Sequence, residues 1–355
     1  MRAGLMFVCI ILVACPALAD SSAHLSAIDD LALTPVGEDT PGLAVLVMDN
    51  GDVVHMRGYG FADLDAGTEV TEDSIFELAS VSKQITALAV MLQIEDGLYI
   101  ELTPIAQMLP GFPEQDVAGV ITVGHLIHHL SGLADYLGDE ATIDFGPKTT
   151  NRQVLEWAQG QPLDTPPGTA FSYSNTGYVV LAELVAAADA APSLADVLAT
   201  RVWQPLGMVS TGLVTPIDPA RAVTGYAGTG GNFVPSAFPN LAQGDGNVFT
   251  SLQDLALYEA ALANNVLLDA QATDVLFSPV AQDDFPPIEK DEDYGFGWSL
   301  DGSGGDEIAS HSGAWEGTST FYHRNLTTGV TVILLANGED IDLDELATMI
   351  EAALP

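Results

Sequence analysis

Residues 80–97 read SVSKQITALAVMLQIEDG. Upstream of this stretch the chain is strand-like, and from Ser80 onward its pattern turns helical. The run 85–95, ITALAVMLQIE, is rich in strong helix formers and closes at Gly97, a residue suited to a left-handed C-cap. The stretch predicts a helix that carries Ser80 and Lys83 at its start. It also separates a strand-forming beginning from a helical middle.

Working outward, residues 41–48 (PGLAVLVM) and 53–60 (VVHMRGYG) are apolar or alternating runs on either side of Asp49-Asn50-Gly51-Asp52. An Asn-Gly pair between two such runs signals a β-hairpin. Residues 24–33 before it suit a short amphipathic helix. Beyond the quoted stretch, helical segments are expected at 122–130, 151–159, 177–188, 194–206 and 251–264, with loops at 162–168 and 225–239. Strands return after Pro287, at 294–300, 308–311, 318–323 and 330–336, and 342–354 closes the chain as a helix. Strands at both ends with helices between them predict an α/β fold. One sheet, flanked by helices, is built from both chain ends (about 24–75 and 290–355), with an all-helical lobe (about 76–289) inserted in a single domain over 20–355.

Composition bounds the function. The 355 residues are 48% hydrophobic, ample for a core, yet carry 9 Lys+Arg against 49 Asp+Glu, a net charge of −40. No basic cluster exists to neutralise phosphates, which excludes nucleic acid as a partner, and anionic membrane surfaces are disfavoured for the same reason. The acids are dispersed rather than gathered in a tail. That fits a solvated, soluble surface and equally an adaptation to high salt.

Residues 1–19 read as a targeting segment. Arg2 precedes the apolar run 5–13, and Ala17-Leu18-Ala19 before Asp20 suits signal-peptidase cleavage. Leu12-Val13-Ala14-Cys15 instead suits a bacterial lipobox, with Cys15 as a lipidated first residue. Both predict export, to the periplasm, the medium or the outer membrane, with any membrane contact made through a lipid anchor at Cys15. Cys9 and Cys15 are the two cysteines, so the body after residue 19 has no disulfide, thiol nucleophile or cysteine metal site.

Ser80 and Lys83 lie three residues apart, on one face of the expected helix and one turn apart. A serine hydroxyl is a poor nucleophile until a neighbouring base takes its proton, and a helix N-terminus offers N–H donors to a developing oxyanion. Taken alone, the same residues serve as a helix cap and a solvated lysine. Tyr173-Ser174-Asn175 follows the loop 166–168. A tyrosine near a lysine can act as a general base, and Asn175 can orient Lys83 or a substrate amide. His311-Ser312-Gly313-Ala314 lies at an expected strand end. Gly313 permits close backbone approach to a ligand, and the Ala314 N–H can serve as an oxyanion donor. His125 and His129 stand i, i+4 apart, but no H-E-x-x-H pattern accompanies them, so no metal site is assigned.

In the order S-x-x-K, Y-x-N, H-x-G, these groups resemble the serine β-lactamase and penicillin-binding-protein-like hydrolases. The resemblance is to the class C β-lactamase branch, which also holds D-alanyl-D-alanine carboxypeptidases, D-aminopeptidases and esterases. It extends to 126–133 (LIHHLSGL), 203–208 (WQPLGM), 244–254 (GDGNVFTSLQD), 294–298 (YGFGW) and 332–338 (VILLANG), over roughly residues 25–350. It implies a β-lactamase/transpeptidase-like fold: an antiparallel sheet flanked by helices, an all-helical lobe, and a site in the cleft between them. By position it implies Ser80 as nucleophile, Lys83 and Tyr173 sharing the base role, and Asn175 positioning substrate. The N–H groups of Ser80 and Ala314 would form the oxyanion hole, with no cofactor. His129 and Ser131 read as structural support.

His311 departs from the K-T-G lysine that helps lactamases and carboxypeptidases hold a substrate carboxylate. Lys148-Thr149-Thr150 does not replace it, having Thr where Gly is needed. H-x-G is the form of aminopeptidase-like and esterase-like members, so the expected activity is hydrolysis of an ester or amide in a small molecule or peptide. A β-lactamase or D-alanyl-D-alanine carboxypeptidase is the alternative within enzymes. A catalytically silent binding or sensor protein on the same fold is the alternative outside them. The sequence leaves the oligomeric state open.

Loss of residues 1–19 removes Arg2 and takes the charge from −40 to −41. If the acidity serves a high-salt habitat, added NaCl screens self-repulsion and the melting temperature holds or rises. A steady fall in melting temperature with NaCl contradicts the salt-adapted reading.

Overall fold

The computed structural model describes residues 16–37, 39–112, 120–138, 148–236, 241–280, 293–302, 304–339 and 341–355. Residues 1–15, which hold the apolar run and Cys15, lie outside this set. Among the described residues no helix is long and apolar enough to cross a membrane.

The central sheet has seven strands: β1 (Leu43–Asp49), β2 (Asp52–Tyr59), β3 (Asp293–Tyr294), β4 (Ser299–Asp301), β5 (Ile308–Trp315), β6 (Thr318–Asn325) and β7 (Val330–Ala336). Their order is β3-β4-β5-β6-β7-β1-β2, antiparallel throughout. The join between the chain ends is the β1–β7 ladder, with Leu43 opposite Ala336 and Val47 opposite Val332. The expected hairpin is present. Asn50 (φ 49°) and Gly51 (φ 85°) both adopt positive φ, as a two-residue turn matched to strand twist requires.

The sheet is covered on both sides, which explains why 43–48 is a continuous apolar run rather than an alternating one. Helices α1 (Pro16–Leu33) and α9 (Leu343–Ala352) cover one face. There Ile28, Leu343, Leu346 and Ile350 pack on Leu43, Val45, Val47, Val332 and Leu334. On the other face Ala44, Leu46, Met48, Ile333 and Leu335 join the core of the helical lobe. Each such fully buried branched side chain contributes about 1.5–3 kcal/mol relative to exposure.

The lobe contains α2 (Ser82–Glu95), α3 (Val123–Ile127), α4 (Asn151–Ala158), α5 (Asn175–Ala188), α6 (Leu194–Leu198), α7 (Leu252–Ala263) and α8 (Ala270–Leu276). Helices α2 and α5 pack against each other and are apolar nearly all round, as central helices must be. Polar residues set several starts. Ser174, Ser193, Ser251 and Asp269 each accept a backbone N–H from the first turn of the helix that follows.

The lobe expected to be all helix also holds a small sheet of Phe76–Glu77, Val248–Thr250 and Gly212–Leu213, which ties the segment before Ser80 to the loop after residue 241. The structure corrects further local expectations. Helix α2 begins at Ser82, because Ala79–Val81 forms a separate 3-10 turn that carries Ser80. Helix α5 begins at Asn175 rather than Gly177, because Ser174 is its cap. The expected helix 194–206 passes through a wide π turn at Ala199–Trp203. The expected strand 294–300 is two short strands around a tight turn. Gly297 (φ 79°) lies so close to α2 that a Cβ there would fall 2.5 Å from the backbone of Gln84, so the chain buckles at this point.

Candidate active site

Three distant segments meet where α2 starts. The first is the turn Ala79–Val81. Ala79 holds φ 47°, a conformation unfavourable for alanine by about 1–2 kcal/mol. The turn is anchored on both flanks. Leu78 donates its N–H to Val248 O (2.8 Å) and accepts Thr320 Oγ1 at its carbonyl (2.7 Å). Ser82 Oγ accepts the N–H of Val248 (3.2 Å). This presents Ser80 partly exposed, while Lys83, one turn on, is fully buried.

Lys83 Nζ has three close oxygen neighbours: Ser80 Oγ at 3.0 Å, Asn175 Oδ1 at 2.8 Å and the main-chain carbonyl of Asp245 at 2.7 Å. An ammonium satisfies all three as donor. A neutral amine donates to the amide and carbonyl oxygens and accepts the Ser80 proton with its lone pair. The serine-lysine spacing of the sequence is thus a direct contact, and Lys83 is no solvated side chain.

The second segment brings Tyr173 and Asn175. Lys83 Nζ lies 4.9 Å from the Tyr173 ring centre and 5.7 Å from that of Tyr178. The Tyr173 ring lies 4.3 Å from His129, between ring centres, and His129 Nδ1 accepts the N–H of Ser174 (3.0 Å). His129 is buried, and burial, then the Lys83 charge, hold its pKa well below the ordinary histidine value. Asn175 Nδ2 donates to Asp135 Oδ2 (2.9 Å). The next residue, Tyr136, donates its hydroxyl to Asp245 Oδ2 (2.7 Å).

The third segment is β5. The sequence places 311–314 at a strand end, whereas β5 runs on to Trp315 and holds all four residues. His311 is buried. Its Nδ1 lies 2.6 Å from Ser312 O, which only accepts, so Nδ1 carries the proton and Nε2 accepts the Tyr294 hydroxyl (2.8 Å). Burial, then the Lys83 charge, pushes the pKa of His311 down to about 3. His311 is therefore a neutral imidazole with both nitrogens occupied. Gly313 serves a contact the sequence did not indicate. A Cβ there would fall 2.5 Å from Leu78 O and 3.1 Å from Ala79 Cβ, so its bare backbone makes room for the Ser80 turn. Ala314 is exposed, opposite Ser319 on β6. Strand β4 pairs with β5 only at Ile308–Ser310, which leaves 311–315 without a strand on that side among the described residues.

Of the residues singled out by sequence, Ser80, Lys83 and Asn175 are joined by hydrogen bonds, with Tyr173 and His311 packed around them and Gly313 against the turn. Asp135, Tyr136, Asp245 and Tyr294 were not singled out as site residues. Asp245 and Tyr294 sit in segments that carry the family resemblance, but Asp245 contributes a main-chain carbonyl, for which no residue type is a signal. The three histidines of 125–129 turn to separate partners. His125 Nδ1 accepts the Thr122 N–H, His128 meets Tyr294 O and Glu101, and His129 meets Ser174.

Comparison with known proteins gives the family. The β-lactamase family model matches residues 28–353. The chain belongs to the β-lactamase family. It is 32% identical over 317 residues to penicillin-binding protein 4* of Bacillus subtilis (strain 168), covering 83% of this chain and 68% of that protein. It is 29% identical over 320 residues to the D-aminopeptidase of Brucella canis, covering 88% of this chain but only 60% of that enzyme's length. The D-amino acid amidase of Ochrobactrum anthropi SV3 shares the fold, with a TM-score of 0.77 at 22% identity over 94% of this chain and 98% of that one. The protein is accordingly a serine hydrolase of the β-lactamase fold.

The state of His311 carries a pH signature. Its folded pKa, about 3, is below the ordinary value of 6.5. Its contribution to stability is complete above pH 6.5 and is lost as pH falls toward 3, because the unfolded chain binds a proton that the folded one does not. H311Q removes that proton uptake. It should flatten the rise of unfolding free energy between pH 4 and 6.5 by up to about 1.4 kcal/mol per pH unit. Urea titrations across this range check it, and parallel slopes for the two proteins contradict it.

Proposed function

We propose that this protein hydrolyses uncharged or cationic esters and amides, with D-amino-acid amides as its main class, through an acyl-enzyme on Ser80. Ser80 Oγ attacks the substrate carbonyl carbon while the Lys83–Tyr173 pair takes its proton. The N–H groups of Ser80 and Ala314 hold the oxyanion, and the amide of Asn175 contacts the substrate. Collapse expels the amine or alcohol, which recovers the proton, and water then releases the acid from Ser80.

The observation that carries the substrate class is the neutral, doubly hydrogen-bonded His311, at the position where the resemblance puts a carboxylate-binding lysine. Among the described residues, Lys83 and the arginines do not supply that charge. Lys83 is directed at Ser80, Asn175 and Asp245. The five arginines among the described residues, Arg57, Arg152, Arg201, Arg221 and Arg324, each pair with a carboxylate. A substrate carboxylate, such as that of a β-lactam or a peptide C-terminus, meets a neutral ring at His311 and faces a strongly negative protein. An α-ammonium is favoured by the same field. Names of relatives, D-aminopeptidase and D-amino acid amidase, point the same way.

A panel of D-phenylalanine amide, a p-nitrophenyl ester and nitrocefin tests the reading. The amide or the ester should exceed nitrocefin in kcat/KM, and S80A should lose about three or more decades of kcat. Nitrocefin as the best substrate would instead establish the lactamase alternative.

Export is part of the proposal, supported by the pattern of residues 1–19. The intact mass of protein recovered from its native host should begin at Asp20 or at a lipid-modified Cys15, and a chain still beginning at Met1 contradicts export.

A further inference from the structure

We propose that Asp135 is a positioning residue for the reaction, fixing the side-chain amide of Asn175 so that its oxygen, and not its NH2 group, faces Lys83. The inference rests on the reading of Ser80 as a nucleophile activated by Lys83.

A carboxamide has an acceptor end and a donor end of nearly equal size, and either can face a neighbour. With Nδ2 turned toward Lys83, donor would meet donor 2.8 Å from a buried amino group, and the geometry that aims Nζ at Ser80 would be lost. An ionised carboxylate only accepts. Asp135 Oδ2, 2.9 Å from Asn175 Nδ2, therefore decides the orientation, and Lys83 reads the other end of the same amide. Asp135 is itself held, with Oδ1 accepting the N–H of Leu137 (3.2 Å) and its carbonyl that of Gly138 (3.0 Å). The charged groups around it are Lys83 and the buried Asp245. Because Tyr136 holds the Asp245 side chain, the dipeptide Asp135-Tyr136 steadies both residues that supply Lys83 with oxygen besides Ser80.

The plain alternative is an aspartate that merely closes its own turn through Leu137. D135N separates the two roles. An asparagine closes such a turn equally well with its one carbonyl oxygen, but it then offers NH2 to Asn175. The charge-conserving exchange D135N/N175D restores a donor-to-acceptor match. The amide then at position 135 can donate to a carboxylate at position 175, whose other oxygen accepts from Lys83.

The readout is the second-order rate of Ser80 labelling by an alkyl fluorophosphonate, mapped by peptide mass, with melting temperature as the control for folding. D135N should slow labelling about 10–100-fold, the worth of one charge-assisted hydrogen bond, while still melting cooperatively as a folded protein. D135N/N175D should recover most of that loss. Should D135N fail to fold, N175D serves as the slow reference: it sets two carboxylates against each other, and adding D135N should speed it. Labelling of D135N at the wild-type rate, or an exchange variant no faster than its slow single parent, overturns the proposal. Wild-type protein that takes no label at Ser80 overturns the nucleophile reading itself, and this inference falls with it.

Discussion

A fully buried lysine must find an oxygen for each proton it carries, and the site follows from how Lys83 does so. Removing an amino group from water costs several kcal/mol unless hydrogen bonds replace its hydration. Here three oxygens do, and they come from the 3-10 turn, the start of α5 and the main chain at Asp245. Ser80 is both one of these partners and partly open to solvent, so the requirement that keeps Lys83 in place also orients the serine. The same charge bears on the histidines. His129 and His311 are buried near it, and both are held neutral in part by it.

The fold supplies the constraint that Lys83 exploits. The chain ends meet in the β1–β7 ladder, and β5 and β6 then lie against the turn that carries Ser80. Thr320 of β6 bonds Leu78, and Gly313 of β5 leaves room for the Leu78–Ala79 backbone. The unfavourable φ of Ala79 persists because neighbours on both flanks hold it. A larger residue at 313 would push β5 off this turn and disturb the serine without touching it.

Much of this is legible in residue order. The Asn50-Gly51 pair gave the hairpin, the apolar run 43–48 gave a buried strand, and the helix formers of 85–95 gave α2. Ser80, Lys83, Tyr173 and Asn175 stood out because nucleophilic catalysis needs those types, and a chain with three lysines makes each one conspicuous. What stayed hidden has a common physical cause. The Asp245 carbonyl and the bare backbone at Gly313 act through the main chain, which residue type does not report. Asp135 acts one residue removed from the chemistry, and in a chain with 49 acids no single aspartate draws notice. The break in 294–300 arises from the approach of Gly297 to α2, a contact between segments far apart in the chain that no local pattern encodes.

His311 is where residue type and structure speak most directly to each other. As a letter it is a lysine's absence. In the fold it becomes a neutral ring tied to Tyr294 and Ser312 that directs no charge at a substrate. The neighbouring chemistry still centres on one bond, that between Ser80 and the acyl group. Acid quenching during steady turnover of a slow p-nitrophenyl ester, followed by peptide mass mapping, tests it most directly. An acyl adduct should appear on the Ser80 peptide in wild-type protein and be lost in K83M. Full turnover with no adduct there, or an adduct on another residue, contradicts the acyl-enzyme at Ser80.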